Sequence, residues 1–185
     1  MSSLATASTS GVFRKVTARE ATVLLAIAWL IPFLVHLAPW PGARPLGAYL
    51  LPIFWATFVA VYFYGAGAGL LTGLFAPAVN LLVTGLPAWK SFGVAGVEVV
   101  IFVLFATWTV RRAPRGWWWA PLGYLAARIV AALLLSAPAA FGSLPATGKF
   151  LEHVAVDGAA GLVVLAAINL ALVKYYPKAA GTTEA

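Results

Sequence analysis

Apolar runs of about twenty residues, recurring six times between short breaks, are the feature that most narrows what this chain can become. They cover 21–38, 46–64, 65–85, 91–110, 117–141 and 151–176, and about twenty residues is the length of α-helix that crosses a hydrocarbon core. The breaks carry helix-ending residues: Pro39 to Pro45, the Gly65/Gly67 pair, Gly85-Leu86-Pro87, Arg111 to Gly116, and Gly142 to Gly148. No polar residue separates Tyr64 from Gly65, so the second and third runs are divided on length, since one helix of about forty residues far exceeds a bilayer. Charged residues make up 9% of the chain, against roughly 25% in a soluble domain. The expected fold is an all-α integral membrane protein of about six transmembrane helices, spanning 14–178. A mobile tail at 1–13 and a short one at 179–185 flank it.

A cleaved signal peptide is the rival reading of the first run. Signal cores span about 7 to 15 residues and end at a small-residue site, whereas 21–38 is longer and leads into Pro39-Trp40-Pro41. It is read as the first helix. Orientation follows from Lys and Arg, which are retained on the cytoplasmic side. Arg14, Lys15, Arg19, Arg111, Arg112, Arg115, Lys174 and Lys178 fall on one side of the alternating topology, and Arg44, Lys90 and Lys149 on the other. Both termini are therefore expected in the cytoplasm, N-in and C-in. Trp and Tyr gather at the same helix ends, as headgroup-level aromatics do. A net charge of +7 is explained by this topology, and nucleic acid is not an expected partner.

The chain has no cysteine, which excludes disulfides, thiolate metal sites and cysteine nucleophiles. Its two histidines, His36 and His153, lack His-x-x-x-His or Glu-x-x-His spacing, so neither a metal nor another cofactor is expected. Phosphate-binding and nucleophile-elbow signatures are absent, and Gly65-Ala66-Gly67-Ala68-Gly69 reads as a packing face. Gly65, Gly69 and Gly73 repeat every four residues, a spacing that lets another backbone approach closely. Ala18, Thr22 and Ala26 make a milder small-residue stripe on the first helix, suited either to packing within the chain or to docking a membrane subunit.

Ionisable groups at membrane depth cost about 2.5–3.5 kcal/mol each on insertion scales, so each asks for a partner or a watery cavity. Glu98 lies about 10 Å from the outer end of the fourth segment, and Arg128 about 16 Å from the inner end of the fifth. Asp157, Asn80 and His36 fall in the same outer half, with Glu152 and His153 nearer the rim. These residues point to a hydrophilic, ligand-binding site open to the outside, or to a structural ion pair.

The segment Pro77 to Pro87 reads Pro-x-x-Asn-x-Leu-x-Thr-Gly-Leu-Pro. It resembles the substrate-binding S components of energy-coupling factor (ECF) vitamin transporters, in which a leucine-rich stretch ending in Leu-Thr-Gly-Met-Pro closes the third helix. Glu98 and the Gly-rich stretch from Gly158 to Lys174 extend the likeness more loosely. The resemblance implies a six-helix subunit of a bacterial cytoplasmic membrane that binds a vitamin or related small-molecule substrate. It also implies docking, through Ala18, Thr22 and Ala26, onto a transmembrane coupling subunit served by separate ATPase subunits. Threonine at 22 departs from the family's alanine stripe. Pro52-Ile53-Phe54-Trp55-Ala56 departs from its Pro-x-His-x-Pro pattern, which leaves the substrate open.

The resulting expectation is a nutrient-binding transport subunit that is not itself an enzyme. The alternatives are a stand-alone transporter or channel lined by Glu98, Arg128 and Asp157, an intramembrane enzyme using Glu98 or Asp157 as acid or base, and a purely structural membrane subunit.

Overall fold

A computed structural model describes residues 13–15, 17–37, 39, 41, 49–85, 89–135 and 158–178. Among them the protein is all-helical, with six helices and no strand: α1 Ala18–Leu37, α2 Pro52–Tyr64, α3 Ala66–Thr84, α4 Trp89–Arg112, α5 Trp119–Leu135 and α6 Ala159–Tyr175.

Local chemistry explains where the helices start and stop. Thr17 and Glu20 form a capping box: the Glu20 carboxylate accepts from the Thr17 backbone N–H (3.0 Å) and hydroxyl (2.9 Å), and the Glu20 N–H donates to Thr17 Oγ1 (3.3 Å). The α2/α3 joint is Gly65, at φ 87°, and Gly85 closes α3 at φ 72°, both in backbone space that L side chains rarely adopt. α4 ends on Arg111 and Arg112, cations at the negative end of the helix dipole.

α2 starts later than the apolar run does. Leu51 takes φ 52° just before Pro52, which disfavours right-handed helix at the residue preceding it. The helix is left with 13 residues, about 20 Å. α5 and α6 have 17 residues each, and the remainders of their apolar runs, 136–141 and 151–157, lie outside the described residues. Among the described residues, one helix, Trp89–Arg112 with 24 residues, is by length and composition long and apolar enough to cross a membrane. The expectation of about twenty residues in every segment is therefore met unevenly.

α2 is the central element, packing against α1, α3, α4 and α6. It is accordingly buried around most of its circumference: Phe54, Ala56, Thr57, Phe58, Ala60, Val61 and Tyr62 are all buried. Phe102, Val103 and Val99 of α4, Tyr124 and Ala127 of α5, and Leu165 of α6 complete the core. Large apolar side chains lie on the outer surface. Leu34, Leu71, Leu104, Leu133 and Val163 are all at least half exposed, and large apolar side chains continue over the outward faces of α1, α3, α4, α5 and α6.

One end of the bundle is basic. The Arg14 N–H donates to the Phe63 carbonyl (3.0 Å), and the cations of Arg111 (5.1 Å) and Lys178 (4.8 Å) both stand over the Phe13 ring. Tyr62 donates its hydroxyl to the Tyr176 carbonyl (2.7 Å), and Asn169 donates to the Gly116 carbonyl (3.2 Å). These contacts bring the chain before α1, the α2/α3 joint, the α4/α5 loop and the end of α6 to one level. The opposite end holds Leu51, which packs on Gly161 at the start of α6.

Candidate functional site

Glu98 of α4 and Arg128 of α5 meet directly: Arg128 Nη1 donates to Glu98 Oε1 at 2.6 Å. Glu98 is nearly inaccessible, and the Arg128 side chain retains 25% of its exposure. Glu98 lies nine residues beyond Trp89, about 14 Å along the axis, and about 21 Å from Arg112. The pair therefore sits in the half of the bundle away from the basic end. α4 and α5 pack against each other, and Gly123 contributes to this contact, because a methyl group there would press on Phe105 and Phe102 of α4.

An aromatic layer underlies the pair. Phe102 follows Glu98 by four residues and Tyr124 precedes Arg128 by four, so each charged residue stands one turn above a ring on its own helix. Phe54 of α2 joins these rings edge to face, at 5.2 Å from Phe102 and 4.9 Å from Tyr124. The Arg128 guanidinium carbon stands 6.0 Å from the Tyr124 ring centroid. Arg128 Nε is buried without a hydrogen-bond acceptor. A charged pair on an apolar aromatic floor is what a structural ion pair presents, and also what a site for a polar group with a hydrophobic body presents.

The other site expectations divide among several places. Asn80 is half-buried on α3 and engaged in an interaction of its own. His36 belongs to α1, but its side chain lies outside the described residues, as do Asp157, Glu152 and His153. Gly69 and Gly73 face inward: added methyl groups would collide with Val61 at the first and with Thr57 and Val99 at the second. Gly65 instead makes the turn and lies under the Phe13 ring. Ala18, Thr22 and Ala26 are exposed, and the Thr22 hydroxyl donates to the Ala18 carbonyl at 3.0 Å.

Comparison with known proteins finds no family model, curated protein or solved structure that matches this chain. Its chemistry is therefore read from its own residues. Several polar groups in the structure escaped the sequence reading. Thr17-x-x-Glu20 is a recognisable capping signature. Asn169 and Tyr62 carry no such signal, because their value lies in carbonyls that only the folded chain brings within reach.

Proposed function

We propose that this protein is a membrane-embedded, substrate-binding subunit of an ECF-type nutrient importer, taking up a vitamin or related small molecule. The Glu98–Arg128 pair on its aromatic floor is the observation that carries the reading. Such a pair is expensive to hold among apolar helices, and intramembrane ionisable residues mark ligand or ion sites by default. An exterior of exposed Leu, Val, Ile and Trp, with most of the described basic residues at one end, supports a bilayer as the surrounding solvent. The coupling subunit and ATPases rest on the Pro77–Pro87 resemblance. In this reading both termini are cytoplasmic, the pair lies in the outer half, and the chain catalyses no covalent reaction.

The direct 2.6 Å bond also favours a second reading, a structural membrane subunit in which the two charges satisfy each other. A thermal-shift screen of the detergent-purified protein against vitamins and their precursors separates the two. A specific ligand at a hundredfold excess over its Kd stabilises by about 2.7 kcal/mol. A hit abolished by both Glu98→Gln and Arg128→Ala supports the binding subunit. No hit across the screen favours the structural one, and uptake by the purified chain alone in vesicles sinks the ECF assignment.

A further inference from the structure

Away from the ion pair, two adjoining clefts open between α1 and the start of α3. The first, about 460 Å³, lies at the basic end and is lined by Thr17, Arg19, Glu20, Val23, Leu24 and Tyr64. The second, about 290 Å³, runs on from it along apolar surface that includes Leu25, Gly67, Ala68 and Leu71, with Leu24 and Tyr64 common to both. The combined shape is a mouth edged by the polar side chains of Thr17, Arg19, Glu20 and Tyr64 that leads into an apolar groove.

The charge of the mouth is positive despite Glu20. That carboxylate is already occupied by the Thr17 N–H, the Thr17 hydroxyl and the Arg14 guanidinium. Arg14 also donates to Tyr64 Oη at 3.3 Å. Arg19 and Lys15 are exposed and make no ion pair among the described residues, so their charge is available to an incoming anion. Gly67 leaves the groove floor open, since a Cβ there would meet nothing within 4 Å.

We infer that this composite cleft binds one anionic glycerophospholipid of the cytoplasmic leaflet, with its phosphate by Arg19 and an acyl chain along Leu25, Gly67 and Leu71. Basic clefts between helices on the cytoplasmic side suit anionic headgroups, and the adjoining apolar groove gives the chain a place to lie. The inference rests on the membrane reading above, and the experiment tells the two apart.

Carbonate washing of membranes holding the full chain is the first arm. Release into the soluble fraction overturns the membrane reading together with the lipid site. Retained protein is then purified in mild detergent and titrated with phosphatidylglycerol or phosphatidylcholine, and bound lipid is counted by native mass spectrometry. One phosphatidylglycerol is expected to bind in preference to phosphatidylcholine. Arg19→Gln should weaken it about fivefold, the factor equivalent to about 1 kcal/mol for one basic side chain at an anionic surface. Gly67→Phe should displace it by filling the groove without disturbing neighbours, while Arg112→Gln, on α4, should leave it unchanged. Equal binding of both lipids, or undiminished phosphatidylglycerol in Arg19→Gln and Gly67→Phe, overturns the site while leaving the membrane reading intact.

Discussion

Arg128 carries its charge at the α4–α5 contact against a desolvation cost that Glu98 offsets at 2.6 Å. Removing one member of such a pair strands the other, so Glu98→Ala is expected to destabilise the protein by about 3–5 kcal/mol. Replacing both residues with Met should recover most of that loss; melting of Glu98→Ala, and of the double variant beside Glu98→Met and Arg128→Met, in detergent measures both, and a double-variant loss equal to the sum of the two single losses would show that the pair is not coupled. Lys178 offers a pH test at the other end of the molecule. Burial brings its ammonium group down from 10.5 to about 8, so between those values the unfolded chain binds more protons than the folded one. Stability is then expected to rise as pH increases from about 8 towards 10.5, with the burial penalty fully present below that window. Lys178→Met should flatten this part of the melting-temperature profile.

At the scale of elements, the glycine stripe discriminates positions that the sequence treats alike. Gly69→Val drives branched carbons into Val61 and Val103, an overpacking expected to cost about 1–3 kcal/mol. Gly67→Ala, two residues away in the same helix, meets open space and should be neutral or stabilising by up to about 1 kcal/mol through helix propensity. Comparison of the two melting temperatures checks the assignment. Four-residue spacing was enough to place Gly65, Gly69 and Gly73 on one face, yet Gly65 serves as the turn and only the latter two meet α2 and α4. The start of α1 carries a signature, Thr17-x-x-Glu20, that a reading by run length from residue 21 passes over, and α2 starts late at Pro52, where the run length of 46–64 outweighed the boundary a proline signals and Leu51 adopts a left-handed conformation.

For the whole molecule, the gathering of Arg14, Arg111 and Lys178 around Phe13 makes orientation testable. The native chain has no cysteine, so single introduced thiols report without background. In intact cells a membrane-impermeant maleimide is expected to label Lys90→Cys from outside and Arg115→Cys only after permeabilisation. The opposite pattern would invert the topology. The clefts beside α1 lie at the basic end, whereas the sequence reading places ligand-facing polar residues at the other. Charge alternation assigns residues to ends but contains nothing about which helices leave a gap between them.

The all-helical class, the positions of most helix breaks and the division of basic residues between two ends followed from the sequence by itself, because apolar run length, Gly and Pro placement and charge order are one-dimensional properties. The contact of Glu98 with Arg128, the central place of α2 and the inward or outward face of each small-residue stripe were decided only by tertiary structure. Each depends on the rotation and neighbours of a helix, and in a chain apolar on nearly every face, periodicity carries too little contrast to set either.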